Sequence, residues 1–360
     1  MTHIDELAKL GTSAWLDDLS RDRINTGNLE SLIEEKSIVG VTTNPSIFAA
    51  AMSKGTAYDE QIEELKAEHA AVEDAVYAMT IDDVRNACDI FADIYKQTGG
   101  QDGRVSIEVD PRFSADADKT LEQARHLWKT IDRPNLMIKI PATTGSLPAI
   151  ADALADGVSV NVTLIFSVER YREVINTYVD GITRAASNGH DVSQIFSVAS
   201  FFVSRMDTEV DKRLEAIGTE DALALRGKAG IANARLAYAQ FAGSHSSTAL
   251  PEGANPQRPL WASTGVKNPE YPATMYVTEL AGPNTVNTMP EKTIDAVLAD
   301  GGFHGDTLTG TEDEAREVFR KLHEVGIDVD DVVLQLEREG VDKFVDAWNE
   351  LLESMAARLK

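Results

Sequence analysis

Along most of the chain, short runs with apolar residues at every second position give way to longer stretches with apolar residues every three or four. The first pattern predicts strands and the second helices. Ala14-Trp15-Leu16-Asp17 reads as a strand, and residues 37–42 as a second that ends at Asn44-Pro45. Residues 58–66 read as a helix. So do 81–95, where Ile81, Val84, Cys88 and Phe91 keep helical spacing, Asp82 and Asp83 suit the first turn, and Gly99-Gly100 lies beyond the end. Residues 104–109 alternate strictly and stop at Pro111, 115–131 are helical, and 136–140 form a strand stopped by Pro141. The alternation then repeats: helix 147–155, strand 158–164, helix 168–186, strand 194–202, helix 203–217, an Ala-rich helix over 221–243, strand 259–263, and strand 284–289 followed by a helix to Leu298.

Eight strands separated by helices are the pattern of an α/β protein built as a (β/α)8 TIM barrel. A doubly wound open sheet is the alternative. Residues 310–360 carry no strand signal. There, 314–325, 329–340 and 341–359 read as amphipathic helices, with Gly326 and Gly340 as punctuation. The expected organisation is a catalytic barrel over 1–309 and a helical extension over 310–360, packed on the barrel's outside or closing one end. Residues 244–255 read as a loop and the best candidate for a mobile segment.

Composition narrows the function. With 34 basic against 59 acidic side chains the formal net charge is −25. That argues against a nucleic-acid partner, whose phosphates are held mainly by Lys and Arg, and against an anionic membrane surface. The single cysteine, Cys88, excludes a disulfide within the chain and a cysteine-based zinc site. The start from Met1 to Glu6 is polar and acidic, unlike a signal peptide, and no run of about 18 apolar residues occurs. A soluble cytoplasmic protein is the expectation. An anionic substrate would need a few basic residues placed locally against the field of the whole molecule.

One such residue is Lys139, set between Ile138 and Ile140 just before Pro141. In a barrel, an inward lysine near the C-terminal end of a strand reaches the active-site mouth. Desolvation there favours the neutral amine, the form a Schiff-base nucleophile needs. The alternative is a strand-end lysine whose ammonium reaches water. Other strands carry polar residues where aliphatic ones would fill a purely structural core: Ser106 and Glu108 on one face, Ser159, Asn161 and Thr163 on another. Asp17, Asn44, Ser200 and Ser263 each close a strand. Glu108 and Asp17 are candidate proton-transfer groups, since carbinolamine formation, dehydration and carbon–carbon cleavage all move protons. For Asp17 the alternative is a helix N-cap. Arg205, after Ser200-Phe201-Phe202-Val203, is either an anion-binding residue at the pocket or a surface arginine at a helix start. Gly227-Lys228 is followed by Ala229 and lacks the spacing of a phosphate-binding loop, and the seven histidines lack metal-ligand spacing.

Three segments in this order resemble transaldolase. Val41-Thr42-Thr43-Asn44-Pro45-Ser46 is similar to the family's T-N-P signature. Leu136-Met137-Ile138-Lys139-Ile140-Pro141 resembles its lysine strand, and Asn161-Val162-Thr163-Leu164-Ile165-Phe166-Ser167 its N-x-T-L-[IL]-F-S motif. The resemblance runs from about Ala14 to Leu298. It implies transfer of a dihydroxyacetone unit from fructose 6-phosphate or sedoheptulose 7-phosphate to erythrose 4-phosphate or glyceraldehyde 3-phosphate, in the non-oxidative pentose phosphate pathway. It implies a Schiff base on Lys139, proton transfer by Asp17, and a water handled by Glu108 and positioned by Thr163. Asn44 and Asn161 would hold the hydroxyls and the carbinolamine, Ser200 would touch the three-carbon unit, and Phe202 would close the pocket. Arg205 would bind phosphate with Ser263. Lys267 stands near where many relatives have an arginine, and Phe201 where a proline is common. No cofactor and no metal are implied, and the chain would act as a monomer or homodimer. Two competing readings are a lysine aldolase that releases free dihydroxyacetone or acts on unphosphorylated sugars, and a noncatalytic barrel that only binds sugar phosphates.

Overall fold

A computed structural model describes residues 2–247 and 249–360. Its strands are β1 (Thr12–Leu16), β2 (Gly40–Val41), β3 (Arg104–Glu108), β4 (Leu136–Pro141), β5 (Val160–Ile165), β6 (Ser197–Phe202), β7 (Arg258–Ala262) and β8 (Thr285–Met289). They pair in parallel in sequence order and β8 returns to β1, so the sheet closes as a barrel rather than lying open. Every residue of β3, β4, β5 and β6 is buried. Their aliphatic faces pack against the surrounding helices, which leaves Ser106, Glu108, Lys139, Asn161 and Thr163 among the buried polar residues. The register sets Glu108 beside Lys139 and Lys139 beside Asn161. Among the described residues no helix is long and apolar enough to cross a membrane.

Several expected elements differ in extent. The second strand shrinks to Gly40–Val41. A Cβ on Gly40 would lie 2.7 Å from the Trp15 ring, so glycine permits this close approach. The strand β4 runs through Pro141, in register with Thr163, instead of stopping before it. The helix expected over 81–95 is two helices, Val72–Ile90 and Ala92–Gln97. Asp82 and Asp83 therefore lie in mid-helix. Asp83 points inward, where Arg21 Nε donates to it at 2.8 Å and Tyr58 Oη at 2.7 Å. The Ala-rich stretch is also two helices, Glu220–Leu223 and Ala229–Ser247, separated by a turn in which Gly227 has φ +71°. Residues 244–247 of the expected loop are thus helical. Thr248, like Met1, lies outside the described residues.

The C-terminal region holds the largest departure. After the helix Glu312–Glu324 comes one 30-residue helix, Val329–Arg358, that passes straight through Gly340. Gly340 is not punctuation. A Cβ there would lie 2.9 Å from the Phe166 ring and 3.3 Å from Leu164 Cδ2, so the missing side chain lets the helix settle on the end of β5. The same helix touches the helices Ser204–Ile217, Pro45–Met52 and Val72–Ile90, crossing the C-terminal end of the barrel. Arg358 anchors its far end to the Met52 carbonyl and to Asp59. We predict that Gly340→Val lowers stability by about 1–3 kcal/mol, the usual penalty for overpacking, as read by urea denaturation. An unchanged midpoint would show that the contact is slack.

Candidate active site

The C-terminal ends of the strands and the crossing helix enclose a cavity of about 170 Å³. Asp17, Asn44, Lys139, Ser200, Phe202, Arg205, Ser263 and Lys267 all line it. Glu108, Thr163 and Asn161 are buried in the wall behind.

Lys139 is 5% exposed. Its Nζ donates to the Thr43 carbonyl at 3.0 Å and lies 3.9 Å from Glu108 Oε2. The β2 segment thus fixes the amine through the residue before Asn44. Neither carboxylate oxygen of Glu108, nor Thr163 Oγ1, finds a hydrogen-bond partner among the described residues. Buried polar atoms rarely stay unpaired, so unpaired carboxylate and hydroxyl oxygens on the two strands flanking the lysine strand suit a polar reactant. Burial pushes the Glu108 carboxyl up to about 8; the Lys139 charge pulls it down and Asp17 raises it further.

Asp17 follows β1 directly and accepts from Thr42 Oγ1 at 2.8 Å. Thr42 Oγ1 is also 2.6 Å from Thr288 Oγ1, which ties β1, β2 and β8 together at the acid. Burial raises the Asp17 carboxyl above its ordinary range, opposed by the Lys139 charge and the Thr42 hydrogen bond. The cap of the following helix is Ser20, so the N-cap alternative for Asp17 falls away. Asn44 does cap a helix: its Oδ1 accepts from Ile47 N at 3.0 Å. The cap uses only the amide oxygen, so Asn44 serves the helix and lines the cavity together. Asn161 is committed inside the wall, where Nδ2 donates to Ser106 Oγ at 3.1 Å and Oδ1 accepts from Ser200 Oγ at 2.7 Å. It orients Ser200, which does line the cavity.

The opposite side is basic. Arg205 sits in the first turn of the helix Ser204–Ile217, its guanidinium 5.1 Å from the Phe202 ring centre. Its Nη1 is buried with no hydrogen-bond partner among the described residues. Burial lowers its pKa, and the Glu339 and Asp17 charges oppose that. A buried guanidinium with an unused donor at a helix N-terminus suits an oxyanion. Ser263 stands beside it in the left-handed region (φ +54°), with its Oγ 2.8 Å from Ser204 Oγ. Lys267 lies on the exposed stretch that follows.

Sequence reasoning missed part of the lining. Thr42, Thr264, Thr288 and Phe344 belong to it. Thr42 was within reach, since it lies in the T-T-N-P segment. Phe344 gave no signal: it comes from the C-terminal helix, and its ring centre is 5.8 Å from Lys139 Nζ. The roof of the lysine site is thus supplied by the segment whose sequence carried no motif.

Comparison with known proteins places the chain in a family. The family described as Transaldolase/Fructose-6-phosphate aldolase matches residues 14–355. A transaldolase of Mycolicibacterium paratuberculosis is 61% identical over 358 residues, covering 98% of this chain and 96% of the relative. A transaldolase of Mycolicibacterium smegmatis is 60% identical, and one of Mycobacterium leprae 59% identical, with the same shares covered. With the family matched along nearly the whole chain and the relatives aligned end to end, the chain belongs to the transaldolase/fructose-6-phosphate aldolase family.

Proposed function

We infer that this chain is a transaldolase that moves a dihydroxyacetone unit from a ketose phosphate to an aldose phosphate in the cytoplasm. The observation that carries the mechanism is the Lys139 amine, buried 3.9 Å from a carboxylate with two unpaired oxygens. The amine attacks C2 of the ketose and forms a carbinolamine. Glu108, protonated near neutral pH, gives its proton to the departing hydroxyl, which leaves as water, with Thr163 holding that water. Asp17 takes the proton from the C4 hydroxyl. The C3–C4 bond breaks, and its electron pair passes into the protonated imine to leave an enamine on Lys139. The aldose departs. The enamine attacks the aldehyde of a second aldose, Asp17 returns its proton, and water releases the new ketose. Ser200 and Asn44 hold the three-carbon unit, with Asn161 supporting Ser200, and Phe202 and Phe344 exclude solvent. Arg205, Ser263 and Lys267 hold the phosphate, and residues 310–360 form a helical extension of the barrel of residues 1–309.

A transfer assay tests this reading. Fructose 6-phosphate with erythrose 4-phosphate gives sedoheptulose 7-phosphate and glyceraldehyde 3-phosphate. Free dihydroxyacetone released without an acceptor, at a rate matching transfer, would favour the aldolase reading instead. Arg205→Ala raises KM for fructose 6-phosphate about 30- to 100-fold and lowers kcat far less, because the lost contact is to a part of the substrate that does not react. Steady-state kinetics read this directly, and an unchanged KM removes Arg205 from phosphate binding.

A further inference from the structure

Two buried carboxylates lie outside the chemistry just described. Asp207 and Asp211 are one turn apart on the Ser204–Ile217 helix that carries Arg205, and they are 2% and 8% exposed. Asp207 accepts from Gly230 N at 2.8 Å and from Tyr276 Oη at 2.6 Å. Asp211 accepts from Gly227 N at 2.9 Å and from Tyr271 Oη at 2.5 Å. Each acid therefore joins three segments: the Arg205 helix, the start of the helix Ala229–Ser247 (Asp207) or the turn before it (Asp211), and the stretch after β7. The packing around them is tight. A Cβ on Gly227 would lie 2.9 Å from the Tyr271 ring, and one on Gly230 would lie 2.9 Å from Asp207 Oδ2.

The stretch after β7 carries Ser263 and Lys267, and it has no helix or strand between Ala262 and Met275. Its path is set by its anchors. At one end Ser263 is held to Ser204 by two hydrogen bonds, one between the hydroxyls and one from Ser204 N to the Ser263 carbonyl. At the other end Tyr271 and Tyr276 are held by the two carboxylates. Burying two acids one turn apart is a poor way to gain stability. It is a good way to fix distances, because a phenol-to-carboxylate hydrogen bond is short and directional. We propose that Tyr271 and Tyr276, through Asp211 and Asp207, are positioning residues that hold Lys267 and Ser263 at a fixed distance from Arg205 and so set the enzyme's preference for phosphorylated sugars. The proposal rests on the reading of Arg205 as the phosphate-binding residue.

The test compares Tyr271→Phe, Tyr276→Phe and Arg205→Ala in the full chain, with fructose 6-phosphate and unphosphorylated fructose as donors. A second readout is competitive inhibition by inorganic phosphate. Each Tyr→Phe variant keeps its ring and loses one hydroxyl. The expected result is a KM for fructose 6-phosphate raised about tenfold, about one charge-assisted hydrogen bond's worth of positioning. The inhibition constant for phosphate should weaken in step, with kcat and the kcat/KM for fructose within about twofold of the parent. A loss shared equally by both donors would mean a structural role, and unchanged kinetic constants for both donors would mean no role; either overturns the proposal. If Tyr276→Phe does not fold, Tyr271→Phe, on the half-buried residue, carries the test. The Arg205→Ala arm separates the two claims. If it too leaves the donor ratio unchanged, the phosphate reading has failed; if it collapses the ratio while the Tyr variants do not, only the positioning claim has.

Discussion

Lys139→Met abolishes transfer, with kcat falling by on the order of 10⁵-fold or more, as expected when a covalent nucleophile is removed. Methionine has the length and flexibility to fill the lysine's space without an amine. The fold should survive the change, because Lys139 makes one side-chain hydrogen bond, to the Thr43 carbonyl, and its remaining surroundings include the Phe344 ring. Thermal unfolding of the variant checks that. The chemical proof is a borohydride trap. The parent, incubated with fructose 6-phosphate and reduced, gains a three-carbon adduct on the peptide containing Lys139, and adding erythrose 4-phosphate before reduction lowers its yield. The Met variant gains none. An adduct on another lysine would sink the assignment, as would undiminished transfer by the variant.

The net charge of −25 made an anionic substrate look awkward, and the cavity shows how the conflict is handled locally. Arg205, Lys139 and Lys267 line one small space, but Asp17 shares it, Glu108 is buried in the wall behind, and Glu339 acts on Arg205 from the crossing helix. The Glu339 and Asp17 charges both act on the Arg205 guanidinium and offset part of its charge. If Arg205 is the phosphate-binding residue as proposed, affinity there comes from short-range geometry: an unused guanidinium donor, a helix N-terminus and a hydroxyl. Such a site depends on the placement of its parts more than on long-range steering.

Much of this was legible in the sequence, for one physical reason. A barrel strand buried on both faces should be aliphatic throughout, so Glu108, Lys139, Asn161 and Thr163 stood out against Val, Ile and Leu neighbours. Strand alternation assigned each of them to the interior face, and the register then placed Glu108 and Asn161 on either side of Lys139. What stayed hidden depended on packing between distant segments. Gly340 looked like a helix end, because a glycine required by an approaching Phe166 ring and a glycine required by a turn are the same letter. Asp83 looked like a first-turn acid, because its partners Arg21 and Tyr58 lie far away in sequence. Phe344 shows only ordinary helical periodicity, and nothing in that pattern says that the helix crosses the mouth of a barrel. Asn161 was legible as an inward residue. That both ends of its amide are already engaged, by Ser106 and Ser200, follows only from the closed barrel.

Glu108→Gln separates function from stability, moving them in opposite directions. The variant keeps the shape of the side chain and loses the transferable proton, so kcat falls about 10²- to 10³-fold, the usual worth of a positioned acid–base group. The pH profile identifies the group. In the parent the carboxyl is pushed up to about 8 from an ordinary 4.5, chiefly by burial. Its acid form is therefore present through neutral pH, and kcat/KM declines as pH rises through about 8. That limb is missing in the Gln variant. Stability follows from the same shift. Between the two pKa values the folded chain holds a proton that the unfolded chain has released. The stabilising contribution of Glu108 is complete below the unfolded value and is lost as pH rises towards the folded one. The variant has no such titration, so its stability relative to the parent rises between about pH 5 and pH 8 and then levels off, by on the order of a few kcal/mol. Denaturant midpoints measured across that range read the slope. A gap that stays constant with pH would mean that Glu108 does not hold the raised proton. A normal kcat in the variant would remove it from catalysis.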